Sequence, residues 1–195
     1  MRKLSILLLL FCAFVGANSH SAAAQRLPPR NYEDRGACPF ECCTYREWSV
    51  EADTVLYRTR STKSRAAFRV KKGERVTGLT GVVVTLEPGR ATATGDVTIR
   101  REGGREVKVK RGDLLYLLHP IGEGYFKTWF RGRLYEVQPE GVAEHASRPE
   151  GIARLPYLRL LSRPRTVWWV KVRNSRGQVG WSRQDDHFGD MDACG

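Results

Sequence analysis

The sequence is poor in the parts from which membrane spans and enzymes are assembled. Beyond residue 24 no apolar run is long enough to cross a bilayer. No long stretch carries a convincing helical stripe, and the segment from Val142 to Leu161, the best place for one short helix, is interrupted by Pro149 and Pro156. Only His119, His145 and His187 follow residue 24, and no G-x-S-x-G, H-E-x-x-H or P-loop is present. Signals of RRM, KH and helix-turn-helix modules are missing too. The expectation is a chain that is not an enzyme, needs no cofactor and binds no nucleic acid. Acidic residues are scarce beside basic ones, 21 against 33, for a net charge of +12, which favours an anionic partner and leaves polymers, lipids and proteins open. What remains, 195 residues of which 41% are hydrophobic and 10% aromatic, describes a folded chain of one compact domain or two small ones.

The first segment reads as an address. Met1-Arg2-Lys3 is positive, Leu4 to Val15 is almost wholly apolar, and Ala22-Ala23-Ala24 offers the small residues that a signal peptidase accepts. Cys12 follows Phe11 rather than a small residue, which argues against a lipid anchor and for cleavage after Ala24. Residues 1–24 are expected to be a signal peptide, and the mature protein to be exported, periplasmic or extracellular. Losing Arg2 and Lys3 takes the net charge to +10.

Export permits disulfides. Cys12 leaves with the signal, while Cys38, Cys42, Cys43 and Cys194 remain. Adjacent cysteines such as Cys42 and Cys43 rarely bridge each other. Two connectivities are left, each joining one of the first three to Cys194 and closing a loop of about 150 residues, for which chain entropy gives on the order of 5 kcal/mol. Zinc-finger spacing is lacking, so a metal site is not expected from these thiols.

The periodicity is that of strands. Glu106-Val107-Lys108-Val109-Lys110 alternates, Val97-Thr98-Ile99 and Val82-Val83-Val84-Thr85 are β-branched, and Thr166 to Val172 combines β-branched residues with Trp168 and Trp169. Gly103-Gly104 and Asn174-Ser175-Arg176-Gly177 mark hairpin turns. The fold class is therefore all-β, built of short strands closed into small barrels, with at most a short helix. An internal repeat points to two units: Val70-Lys71-Lys72-Gly73-Glu74-Arg75-Val76 matches Val109-Lys110-Arg111-Gly112-Asp113-Leu114-Leu115, each placing a glycine in a turn ahead of a strand.

Two stretches carry a family likeness. Val50 to Tyr57, the polar Ser61 to Ser64 and the Val70 to Val76 run resemble the opening half of a bacterial SH3-type (SH3b) domain. Trp168 to Val172, the Asn174 to Gly177 turn and Gly177-Gln178-Val179-Gly180-Trp181 resemble its closing half, with the G-x-x-G-W ending. Because about 90 residues separate the halves, the resemblance implies two SH3-like units in tandem or one with a large insertion. The division adopted is a Cys-containing segment at 25–47, a first unit at 48–102 and a second unit at 103–195 that holds the closing motif.

The resemblance implies an exported, non-enzymatic binding module that recognises cell-wall (peptidoglycan) peptide or another envelope ligand through a shallow aromatic groove. The candidates are Tyr57, Tyr125, Trp129, Trp168, Trp169 and Trp181. Neighbours on a strand face opposite ways, so one of Trp168 and Trp169 belongs to the core and the other, beside Arg173 and Arg176, is the better ligand contact. Trp181 is expected in the core, because barrels this small need large side chains to fill them. The alternatives are an adaptor for an envelope protein and, third, a cell-wall hydrolase accessory or polyanion binder working through Arg100, Arg101, Arg105, Lys108, Lys110 and Arg111, which otherwise form the solvated face of a hairpin. Asp185, Asp186, His187, Asp190 and Asp192 lack the spacing of a metal loop and read as an acidic tail, with Asp186 or Asp190 paired to arginines.

Overall fold

The structure, a computed structural model, describes residues 26–101, 104, 106–139 and 157–194. The expected signal peptide, Gly103, Arg105, His145 and most of the proposed helical stretch lie outside the described residues. Within that stretch Leu158 to Ser162 is a strand, not a helix.

The first run of strands comprises β1 (Tyr32–Arg35), β2 (Glu47–Val50), β3 (Thr54–Tyr57), β4 (Ala66–Val70) and the long β5 (Arg75–Glu87). A second run follows with β6 (Gly89–Ala93), β7 (Val97–Arg101), β8 (Glu106–Val109), β9 (Leu114–Gly122), β10 (Tyr125–Phe130), β11 (Arg133–Val137) and β12 (Leu158–Ser162). The chain then adds β13 (Arg165–Asn174), β14 (Val179–Ser182), a 3-10 turn at Asp185–His187 and the short β15 (Phe188–Gly189). The all-β class is as the periodicity predicts: Val97 and Ile99 fall on one buried face, as does Val109 of the alternating strand across from them.

The strands form two sheets with the same internal order. One runs β15-β2-β5-β13-β14-β3-β4, with β1 added to the free edge of β5; the other runs β12-β6-β9-β10-β11-β7-β8. Strands β2, β3, β4 and β5 of the first correspond to β6, β7, β8 and β9 of the second, and β13 and β14 to β10 and β11. The repeat is thus carried through a whole sheet. Its stretches at 70–76 and 109–115 are equivalent turns: Gly73 and Gly112 have φ of 86° and 87°, a region where a side chain is strained. One aspartate locks each turn. Asp53 accepts from Lys71 Nζ at 2.7 Å and Lys72 N at 3.0 Å, and Asp96 accepts from Lys110 Nζ at 2.6 Å and Arg111 N at 3.1 Å. Each arrangement also satisfies a backbone N–H left unpaired by the turn.

The units are nested, not consecutive. Strands β5 and β13 pair from Arg165 opposite Glu87 to Asn174 opposite Val76, so the second sheet is built entirely from chain lying between the two halves of the first. A boundary at 102/103 would divide the β7–β8 hairpin, in which Val97 faces Val109 and Arg100 faces Glu106. It would also assign Trp168 and Trp169 to the wrong unit. Both β5 and β13 offer apolar side chains on both faces, and burying them against each other outweighs the loop closure this requires, since loop-closure entropy grows only slowly with length.

Each unit has its own core. Trp48, fully buried, packs with Trp168, Phe188, Val170 and Val172 in the first; Phe126, Phe130, Leu115, Leu117 and Tyr135 fill the second. Trp48 and Trp168 lie edge to face, their centroids 6.2 Å apart. Burial pushes the Tyr45 phenol up to about 12, against the opposing effect of the Trp168 N–H, so it stays protonated and donates to Ala37 O.

Disulfides Cys38–Cys43 and Cys42–Cys194 choose between the two open connectivities. The second ties the N-terminal segment to the far end of the chain, where Arg46 donates to the carbonyls of Asp190 and Asp192. In Cys194→Ser, one thiol should become alkylatable without reductant and fragmentation should place the label on Cys42. Stability should fall by about 3–5 kcal/mol. A label on Cys43 would mean that the other connectivity forms.

Candidate ligand-binding groove

Pairing register decides which aromatic side chains share a surface. Trp169 lies opposite Val82, Lys171 opposite Trp181, and Trp181 opposite Tyr57, so these side chains stand on the outer face of the first sheet. Trp168, one residue along, points into the core. Of the two expected partners, then, Trp169 is the outward one and Trp168 is removed from the candidate ligand contacts.

On this outer face is an open groove of about 630 Å³. Trp169, Trp181, Val84 and Leu86 supply its apolar lining, while Asn31 just before β1, Glu33 on β1, and Arg58, Thr59 and Arg60 from the β3–β4 loop supply its polar rim. That loop is held by its own bonds: Arg58 N donates to Arg65 O at 3.0 Å, Ser64 N to Ser61 O at 3.0 Å, and Thr59 N to Ser64 Oγ at 3.3 Å. Serine and threonine replace missing ladder bonds here, so a short polar loop keeps a defined shape.

Charge in the groove is organised around one fork. Arg60 Nη1 and Nη2 donate to the two carboxylate oxygens of Glu33 at 2.9 and 3.0 Å. Its guanidinium carbon stands 5.8 Å from the Trp181 ring centroid, and Lys171 Nζ stands 5.6 Å from it. The Arg60 hydrogen bonds, with the charges of Arg60 and Arg35, hold the Glu33 carboxyl below its ordinary range despite some desolvation. Arg58 is exposed and has no ion-pair partner among the described residues.

The other sequence candidates are dispersed. Tyr57 is half-buried beside Trp181 but does not line the groove, and Arg173 is exposed outside it. Trp129 belongs to the second sheet, where its indole N–H donates to Arg26 O at 2.7 Å and fastens the N-terminal segment. Tyr125 lines a separate hollow of about 460 Å³ with Phe40, Glu136, Glu123, Glu41, Cys42 and Cys43. Trp181 is not core: Gly180 is the residue of β14 turned inward, closely covered by Leu56 and Phe68, which leaves its neighbour Trp181 on the outer face. Glu33 and Arg60 carried no sequence signal of partnership; Arg60 only bordered the polar loop of the family likeness.

The acidic tail is engaged internally. Asp190 pairs with Arg75 at 2.8 Å, Asp192 accepts from Cys194 N at 2.7 Å, and His187 Nδ1 lies 2.8 Å from Thr54 Oγ1. Burial pushes the Asp185 carboxyl up, with Asp186's charge adding to it. On the basic hairpin, Arg100 pairs with Glu106 at 3.4 Å and Lys110 with Asp96 at 2.6 Å.

A second ionic cluster holds the two sheets together next to the groove. Asp34, on β1 one residue from Glu33, accepts from Lys127 Nζ at 2.7 Å, and its same oxygen lies 2.8 Å from His119 Nε2; His119 Nδ1 lies 2.8 Å from Pro120 O. His119 is 1% exposed. Burial alone raises the Asp34 carboxyl, but the hydrogen bonds from His119 and Lys127 and the Lys127 charge carry it below its ordinary value. A depressed carboxyl stabilises the fold above the ordinary carboxylate range, and that stability is lost as pH falls through the folded value. Asp34→Asn should cost about 3 kcal/mol at pH 7, since it removes the carboxylate on which Lys127 Nζ and buried His119 Nε2 converge. Urea melts should show the gap to the parent narrowing as the pH is lowered into the acid range; equal midpoints at pH 7 would contradict this role.

No family model, no curated protein and no solved structure matches this chain.

Proposed function

We propose that this chain is an exported, non-enzymatic SH3b-like module that binds cell-wall peptide in the groove on the outer face of its first sheet. The observation that carries the reading is the groove itself: two tryptophans, Trp169 and Trp181, framed by Arg58 and the Arg60–Glu33 pair. Flat indole surfaces suit an extended peptide, and a few fixed polar groups at the rim orient it. The likeness of the 50–76 and 168–181 stretches to SH3b domains supports the same reading, and the N-terminal signal-like segment supports export.

A second reading, an adaptor for an envelope protein, is favoured by one feature. Tyr157, just before β12, and Leu161 within it are 44% and 46% exposed, and among the described residues β12 pairs with β6 alone. An unpaired edge with apolar side chains is a surface onto which another chain can dock.

Retention on purified peptidoglycan, run beside an envelope-protein extract, tests both. Trp169 is buried, so its removal would cost stability; Trp181→Ala is the cleaner variant. It should weaken retention about tenfold at physiological salt, the loss of a stacking anchor. Replacing Arg100, Lys108 and Lys110 together should weaken binding only at low salt, because exposed charges are screened beyond about 8 Å at physiological ionic strength. Binding lost in the triple variant but kept in Trp181→Ala would make recognition polyelectrolyte and overturn the groove. Capture by the extract without retention on peptidoglycan would favour the adaptor.

A further inference from the structure

Resting on the groove reading above, we infer that the groove is a receptor for a peptide bearing a free carboxylate, and that Glu33 is a resident carboxylate occupying the ligand's place on Arg60. The argument is one of charge complementarity. Arg58, Arg60 and Lys171 face or border the groove against a single carboxylate, that of Glu33. Glu33 satisfies Arg60 through both guanidinium nitrogens, which leaves the Arg58 fork uncommitted at the rim. An arginine fork binds a carboxylate with two parallel hydrogen bonds, a geometry that a lysine or a neutral donor does not offer. Below it Trp181 presents a partly exposed ring and buried Trp169 closes the floor, so a peptide end can place its carboxylate at Arg58 while its backbone lies along the Trp181 ring.

The position of Glu33 explains how such a site stays closed to weaker anions. The Arg60–Glu33 pair is partly shielded, with side chains 25% and 33% exposed, and spans 27 residues of sequence to join β1 to the β3–β4 loop. An incoming carboxylate competes with Glu33 for Arg60 and is repelled by it. Glu33 therefore lowers affinity while fixing the rim, and its removal releases Arg60, frees the exposed Arg35 from its 3.3 Å contact and takes away one negative charge.

The probe is Nα-acetyl-trialanine with a free C-terminal carboxylate, compared with its C-terminal amide, titrated against the full mature chain with tryptophan fluorescence as readout. The acid should bind about tenfold more tightly than the amide, the scale of one charge-assisted bidentate contact. Arg58→Ala should bring acid and amide within about twofold of each other. Glu33→Gln should raise acid affinity by roughly threefold or more and leave the amide unchanged, whereas a purely structural Glu33 would make the same variant weaken both. Thermal melts of each variant establish that it is folded.

Equal affinity for acid and amide, or loss of acid binding in folded Glu33→Gln, overturns the inference. If peptidoglycan is still retained through Trp181 in that case, the groove reading stands and only the carboxylate assignment fails. The acid tripeptide should also displace the protein from peptidoglycan. Tripeptide binding that peptidoglycan does not compete would place the carboxylate on a protein terminus and overturn the wall peptide as its source. If neither probe binds, the groove reading and the inference fall together.

Discussion

Strand β5 meets its full-length partner only after the chain has passed through an entire second sheet. The ladder from Glu87 opposite Arg165 to Val76 opposite Asn174 is the constraint on which the rest depends. It sets Trp168 into the core beside Trp48, turns Trp169 outward, and brings β14 to β3 so that Trp181 reaches Tyr57. It also places both ends of the inserted unit side by side at Glu87 and Arg165, which form a 2.8 Å ion pair. The second sheet is assembled mainly from strands close in sequence, whereas the first requires closure over the whole insertion. Contacts of the latter kind carry the larger loop-closure cost.

Strand β1 links the structural and ligand-facing roles. It pairs with the half of β5 that β2 leaves free, so its residues lie where the two units approach each other. Strand alternation then gives neighbouring acids different tasks: Glu33 joins Arg60 over Trp181, and Asp34 joins Lys127 and His119 of the other unit. Thr85 on β5 adds a buried hydrogen bond to Leu118 O at 2.9 Å. The rim of the groove and the junction between units are thus fixed by adjacent residues of one short strand. A pleated strand can do this because its side chains exit on alternate sides.

The two units repeat a fold but not a surface. Lys171 faces Trp181 across β13 and β14 as Lys127 faces Glu136 across β10 and β11, and Trp169 stands two residues before Lys171 as Tyr125 stands two before Lys127. The outer face of the first unit has become aromatic and cationic. The corresponding face of the second carries Tyr125 among Glu41, Glu123 and Glu136. Equivalent backbone positions therefore differ in charge, and it is side-chain identity at a few outward positions, not fold, that separates a candidate site from its counterpart.

Much of the strand and turn structure was legible because its causes are local. Alternation over 106–109 requires only a period of two, and Gly73 and Gly112 announce turns through the positive φ their neighbours' spacing demands. The opposition of Trp168 and Trp169 follows from the same pleat, and the two permitted disulfide patterns followed from the adjacency of Cys42 and Cys43. Partnership across distance was not legible. Nothing near Trp181 reveals that Leu56 and Phe68, more than a hundred positions away, already fill the core beneath β14, and nothing near Glu33 reveals Arg60. The sequence by itself determined all-β units with repeated turns, since these depend on residue type and short-range spacing. Only the tertiary structure decided that one unit is nested in the other and which side chains share the groove. Pairing between distant strands is selected by the joint burial of faces that no local window contains.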